Sequence, residues 1–166
     1  MAAERIEASN TRRIVRALEV IEITGRPFSA SLPRYEDVAP TVHIALRCER
    51  RLLDQRINER ARAMFDGGLV EEVEALIDQG IREGETAPRA IGYAQALAVI
   101  DGTMSVPEAV DSTALATRQL ASRQIKWFRR DPRVHWIDVA LEPGGDWAPG
   151  ERERVTRRAL ELVRAG

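Results

Sequence analysis

The stretch TRQLASRQIKWFRRDPRVHW, Thr117 to Trp136, decides the fold. At 100° per residue, Gln119, Arg123, Lys126 and Arg130 fall on one stripe about 60° wide, with Leu120, Ile125, Trp127 and Phe128 on a broad face beside it. This is a helix with an apolar side for a core and a basic edge for an anion. Asp131-Pro132 ends it, because proline lacks the N–H that a further turn needs and biases the residue before it away from helix. Val134 to Val139 then reads as a short strand. A charged helix edge is by default a solvated surface. Gln119 and Gln124 among the bases, and Trp127-Phe128 before an Arg pair, shift the reading toward a nucleic-acid strand.

Upstream, Ser105 is placed as N-cap, Pro107 in the first turn and Glu108 at the capping-box position, so one long helix runs from there to about Arg130. A shorter helix precedes it and stops at Asp101-Gly102. At its start stands Arg89-Ala90-Ile91-Gly92-Tyr93, where a backbone without a side chain adjoins an aromatic ring, a pattern for close approach by a ligand or for tight packing. Glu83 to Pro88 reads as a loop. Leu69 to Gln79 reads as one acidic amphipathic helix ending at Gly80, with Glu71, Glu72 and Glu74 on a solvated face. Glu49 to Phe65 reads as a helix that buries Leu52, Leu53, Ile57 and Met64 and carries Arg56 and Arg60 four residues apart on one face. Thr41 to Cys48 is apolar and β-branched, a short buried strand in which His43 reads as a core residue. Arg26 to Pro40, with three prolines, reads as a loop or hinge.

Near the start, Ser9-Asn10-Thr11 supplies N-cap residues for a helix ending at Gly25, with Ile14, Val15, Leu18 and Ile21 as its apolar face. Arg12, Arg13 and Arg16 crowd its first turns, where cations oppose the helix dipole. That placement favours a role in binding over one in helix stability. Leu141 to Gly150 reads as a Gly/Pro loop, and Glu151 to Ala165 as a terminal helix packed by Val155, Leu160 and Val163.

The 166 residues suffice for one core, or a domain with a small annex, and 44% hydrophobic with 31% charged residues is the balance of a globular protein. The formal charge of −1 excludes a uniformly basic nucleic-acid binder. The charge is nonetheless uneven: Asp66 to Glu85 holds seven acids and one Arg, and Val110 to His135 five Arg and one Lys against two Asp. Such separation gives a directed field. The lone Cys48 rules out an intrachain disulfide and fits a reducing cytoplasm. No apolar run is long enough for a membrane span. A phosphate loop of the G-x-x-x-x-G-K-[ST] type, an H-E-x-x-H motif, paired cysteines and a G-x-S-x-G elbow are all missing from the sequence. Arg-rich helix faces remain, which bind and position anions, and no residue is assigned as catalytic.

Four runs in this order, NTRRIVRALEVIEITGRPFS, RINERARAMFDGGLVEEVEALIDQG, RAIGYAQALAVIDG and ATRQLASRQIKWFRRDPRVHWID, resemble the C-terminal half of the bacterial tRNA dimethylallyltransferase (tRNA isopentenyltransferase) family over roughly residues 4 to 139. The pairing of RAIGY with TRQLA-x-RQ-x-x-WFRRD is its specific signature. The resemblance implies a predominantly α chain with two short strands, the C-terminal part of an α/β P-loop-containing nucleoside triphosphate hydrolase-like fold. Residues 1–30 would end a helical tRNA-gripping insertion domain, and residues 31–166 would belong to the α/β core.

The implied reaction moves a dimethylallyl group from dimethylallyl diphosphate to N6 of adenosine 37, a base flipped from its stack at a cost of a few kcal/mol. Three stretches would contact the tRNA anticodon stem-loop: Arg12, Arg13 and Arg16; Arg89, Ala90, Ile91, Gly92 and Tyr93; and Ser122, Arg123, Gln124, Lys126 and Arg129. Ala94 stands where the family usually has Arg, one cation fewer. Arg56 and Arg60 are proposed for the diphosphate. Within the family pattern Trp127 moves to a core role, so its loss should cost roughly 3–5 kcal/mol if it is fully buried. The full-length enzyme is expected to be a cytoplasmic monomer using Mg²⁺. The phosphate loop, the Mg²⁺-binding hydroxyl and the catalytic Asp belong to a half that the resemblance does not find here, so the chain is expected to be a fragment, inactive alone. The alternatives are a stand-alone RNA-binding module without catalysis and an adenylate isopentenyltransferase-like protein.

Overall fold

The computed structural model describes residues 9–26, 28 and 35–165. The chain divides into two compact units, Met1–Val38 and Ala39–Gly166. The expected boundary at residues 30 and 31, like most of the expected loop from Arg26, lies outside the described residues.

In the first unit, α1 spans Thr11–Thr24. Asn10 caps it, its side-chain oxygen accepting the Arg13 N–H at 3.2 Å, and Gly25 ends it in the left-handed conformation at φ 64°. Only Ala17 is buried. Val15, Leu18 and Ile21 of the expected apolar face are 48%, 60% and 42% exposed, so that face is not covered by packing.

In the second unit, β1 (His43–Arg47) leads through the N-cap Glu49 into α2 (Arg50–Asp66). Gly67-Gly68 turns the chain into α3 (Leu69–Ala75). α4 (Tyr93–Ile100), α5 (Val106–Phe128), β2 (Val134–Asp138) and α6 (Glu151–Ala165) follow. The strands pair in parallel, His43 opposite Val134 and Arg47 opposite Asp138.

Three apolar clusters hold these elements. Phe65, Leu69, Val73, Ile81, Ala96, Leu97 and Ala109 join the end of α2 to α3, α4 and the start of α5. Ile57, Ala61 and Ala114 form the α2–α5 seam, where the two alanines let the backbones approach, with Leu53, Val110 and Ala121 at its margin. Ile137, Val139 and Val155 join the sheet to α6, with Ile44, Leu141, Trp147 and Leu162 packed around them.

Four expectations are corrected. The acidic helix does not continue to Gln79: α3 ends at Ala75, and two single 3₁₀ turns at Ile77–Gln79 and Ile81–Glu83 flank Gly80, burying Ile81. Pro88 lies in a further 3₁₀ turn, Ala87–Arg89, within the expected loop. α5 turns its small side, Ala109, Thr113 and Ala114, to the core, leaving Leu120, Trp127 and Phe128 37%, 65% and 43% exposed. Trp127 is therefore not a core residue, because an alanine-lined seam sits closer to α2 than a bulky side chain allows. In α6, Leu160 and Val163 are exposed, and Ala159 and Leu162 join Val155 against the sheet instead.

Candidate nucleic-acid interface

α5 carries the densest set of unpaired cations. Its start is fixed by Glu108, whose carboxylate accepts the Ser105 N–H at 2.8 Å and the Ser105 hydroxyl at 2.6 Å. Those two bonds hold the Glu108 carboxyl below its usual range. Farther along, the polar side of α5 forms a shallow groove with α2, lined by Arg50, Arg118, Arg123 and Lys126 against the single carboxylate of Asp54.

The cations there are of two kinds. Arg50 ties the helices together, its Nε 2.9 Å from Asp54 and its Nη1 donating to the Ser122 hydroxyl at 2.8 Å. Arg118 donates to Asn58. The side chains of Arg123, Lys126 and Arg129 have no hydrogen bond or ion pair among the described residues, and all three residues are exposed. They can meet an anion without giving up an internal partner. Ser122, expected among the contacts, is occupied within the fold: it accepts from Arg50 and donates to the Arg118 carbonyl at 3.0 Å. A second cleft adjoins the groove, sharing Arg50, Ser122 and Lys126 with it and lined also by Gln124, Phe128, Arg129 and β1.

The stretch from Arg89 to Tyr93 is built differently. Arg89 and Ala90 are exposed, whereas Gly92 is buried. Gly92 adopts φ 98°, and a Cβ there would lie 3.2 Å from Met64 and 3.5 Å from Leu69. The glycine therefore serves close packing of α4 on α2 and α3, the less specific of the two readings of Ile-Gly-Tyr. Its N–H donates to Gln95 at 2.9 Å, and Gln95 reaches Ser112 on α5 at 3.4 Å. The Tyr93 hydroxyl donates to Glu72, which pushes the phenol pKa up. Glu72 is thus a positioning contact rather than a member of a merely solvated face. Ser112 and Ser122 lie ten residues apart on α5, about 15 Å at 1.5 Å per residue, so the two stretches sit along one helix rather than in one cluster.

Arg12, Arg13 and Arg16 are exposed on α1, with Arg16 3.2 Å from Glu19. Arg56 and Arg60 are separated by the fold. Arg56 is half-buried in the cleft and donates to the Gly145 carbonyl, with Asp146 3.6 Å away, whereas Arg60 is exposed and does not line the cleft. A Cβ on Gly145 would stand 2.4 Å from the Arg56 Cβ, so only glycine lets this turn rest on Arg56. Burial pushes the nearby Cys48 thiol up, and the Arg56 charge opposes that shift.

Sequence reasoning missed Arg50 and Arg118 as groove-forming cations and Glu72 as the partner of Tyr93. Each depends on a contact across many residues, for which a single sequence holds no signal. Among the described residues, no group of three or more His, Cys, Asp or Glu side chains could hold a metal ion. No helix among them is long and apolar enough to cross a membrane.

Unpaired arginines and a lysine on a helix beside a parallel strand pair define a class: an α/β unit with an exposed cationic helix edge. Comparison with known proteins names the family. The IPP transferase family model matches residues 1–131, and the chain belongs to that family. It is 51% identical over 162 residues to a tRNA dimethylallyltransferase of Streptomyces coelicolor, covering 98% of this chain and 49% of that protein. A tRNA dimethylallyltransferase of Kineococcus radiotolerans is 50% identical over 162 residues, again 98% of this chain and 49% of the relative. The crystal structure of the full-length tRNA isopentenylpyrophosphate transferase of Bacillus halodurans superposes with a TM-score of 0.63 at 32% identity, covering 99% of this chain and 49% of that one. The chain thus spans about half the length of the relatives it matches.

Proposed function

We propose that this chain is the tRNA-gripping C-terminal part of a tRNA dimethylallyltransferase. In this reading it holds an anticodon stem-loop while a dimethylallyl group passes from dimethylallyl diphosphate to N6 of adenosine 37. In that transfer the C–N6 bond forms, the C–O bond to diphosphate breaks and N6 gives up a proton. This chain contributes binding and orientation and no catalytic residue. Its strand pair would belong to a P-loop-type α/β core, with Mg²⁺ supplied by the remainder of the cytoplasmic enzyme.

The observation that carries the reading is the line of unpaired, exposed Arg123, Lys126 and Arg129 on α5, with Arg50 and Arg118 held behind them. Arg89, in the turn before α4, and Tyr93, at its start, and Arg12, Arg13 and Arg16 on α1, provide further contacts. Arg56 is the better placed of the two diphosphate candidates, and an anion there would replace the Gly145 carbonyl as its partner.

The test is titration of the 166-residue chain with a short anticodon stem-loop at several salt concentrations. Contacts through Arg and Lys release counterions, so the logarithm of the affinity should fall linearly with the logarithm of salt concentration. A salt-independent affinity would refute the surface. Prenyl transfer by this chain alone, at a rate near that of a full-length relative, would refute the absence of catalytic residues.

A further inference from the structure

One turn of the chain is built against Arg56. Arg50, Lys126 and Arg129 line the same cleft as Arg56, and no carboxylate is among its lining residues. Between Ala140 and Ala148 the chain folds back on itself. The Glu142 N–H donates to the Asp146 carbonyl at 2.8 Å, the Gly145 N–H to the Glu142 carbonyl at 2.9 Å, and the Ala148 N–H to the Ala140 carbonyl at 3.1 Å. Leu141 and Trp147 pair across the turn as an antiparallel bridge. The base of the turn is anchored. Trp147 packs into the cluster between sheet and α6, the Arg152 guanidinium lies 5.5 Å from its ring centroid, and the Ala140 N–H donates to Glu151.

The tip of this turn meets Arg56 twice. At the root, the Gly145 backbone lies so close that a Cβ there would stand 2.9, 2.4 and 3.1 Å from the Arg56 Cα, Cβ and Cγ. At the far end, Arg56 Nη1 donates to the Gly145 carbonyl at 2.5 Å. Gly144 and Gly145 both have positive φ, 107° and 83°, but a Cβ on Gly144 would meet nothing within 4 Å. The close approach to Arg56 thus belongs to Gly145. A free arginine loses several rotatable bonds when it takes a ligand. Held at root and tip by an anchored turn, Arg56 has given up part of that freedom in advance. The Asp146 carboxylate, 93% exposed, stands 3.6 Å from the same Nη1.

We propose that the turn from Glu142 to Trp147 is a positioning element for anion capture by Arg56. Gly145 is the positioning residue and parks the guanidinium at the cleft. Asp146 is a weak internal counter-ion that an incoming diphosphate displaces. When the anion takes the tip from the Gly145 carbonyl, the root contact remains and keeps the side chain directed. This role rests on the reading of Arg56 as a diphosphate ligand and not on the tRNA-binding surface.

The test is calorimetric titration of the chain and its variants with inorganic diphosphate, with ¹⁵N relaxation of the Arg56 Nε–H and a melting curve for each. Gly145→Ala should weaken binding roughly fivefold, because one long side chain must then be ordered on binding, and should raise the mobility of the Nε–H. Gly144→Ala strains the same turn without touching Arg56, so it should leave affinity and mobility near those of the unaltered chain. Asp146→Asn should tighten binding by about twofold, since it removes an exposed competing charge. A turn that only supports the fold would not shift affinity in opposite directions at adjacent residues. Three results would overturn the positioning role: equal weakening by Gly144→Ala and Gly145→Ala, unchanged affinity with an equally rigid Nε–H in Gly145→Ala, or weaker binding by Asp146→Asn. Arg56→Gln separates this role from the reading beneath it. Unchanged diphosphate affinity in that variant removes Arg56 as the ligand and the positioning role with it. A loss in Arg56→Gln without any change in the turn variants removes the positioning role alone.

Discussion

At the scale of single residues, exposure and pairing separate side chains that look alike in the sequence. Arg118 and Arg123 are both arginines of one helix, but the Arg118 side chain bonds Asn58 and the Arg123 side chain bonds nothing among the described residues. Arg123→Ala and Lys126→Ala should each weaken stem-loop binding several-fold and lower the salt slope by about one, leaving thermal stability unchanged. Isothermal titration at several salt concentrations, with a melting curve for each variant, measures both. Trp127 runs the other way. At 65% exposure, Trp127→Ala should cost under about 1 kcal/mol, the range of surface substitutions, and not the 3–5 kcal/mol of a buried tryptophan. Val73, with no exposed surface, should cost about 2 kcal/mol when cut to alanine. Urea unfolding of the two variants side by side settles the order.

At the scale of elements, one carboxylate fixes α6 to the sheet. Glu151 is buried, accepts the Ala140 N–H at 2.7 Å, and pairs with Arg154 at 2.6 Å, while Arg154 reaches back to the Asp138 carbonyl. The Arg154 hydrogen bonds, and then the Ala140 N–H, hold the Glu151 pKa down at about 2. Asp131, at the turn into β2, is likewise held at about 2, chiefly by Arg133. Both folded pKa values lie below the ordinary carboxylate values, so the unfolded chain takes up protons first as the pH falls. Stability from these groups is complete above about pH 5 and is lost between about pH 4.5 and 2. Melting temperature measured across that window should fall steeply, and Glu151→Gln should flatten part of the slope. A slope unchanged in the variant would remove Glu151 from this role.

At the scale of the molecule, the second unit is unevenly consolidated. The cluster around Val73 and the α2–α5 seam draw on four helices, whereas the sheet and α6 share a small cluster beside an open strand edge. Local stability follows burial and contact density. Hydrogen exchange should therefore protect α2 and α5 most and β1 least. Equal protection of β1 and α5 in the isolated chain would contradict this gradient. The charge is uneven as well, with acids concentrated from Asp66 to Glu85 and bases on the later part of α5, so an approaching polyanion is steered toward one end of that helix.

The sequence by itself determined the helices, both strands and the family. Local signals do this: Asn10 and Gly25 bracket α1, Ser105 with Glu108 opens α5, and Asp131-Pro132 separates it from β2. Arg123 and Lys126 were legible as candidates because their spacing puts cations beside one another on a helix, and Arg129 through the family resemblance. Only the tertiary structure decided which of them lack partners, that Ser122 is engaged by Arg50, and that Gly92 serves packing. It also decided that Trp127 faces solvent, since an amphipathic pattern marks an apolar face but not which part of it a neighbour covers. Parallel pairing of strands ninety-one residues apart, Arg47 opposite Asp138, and the open edge it leaves are set by contacts that no local pattern encodes.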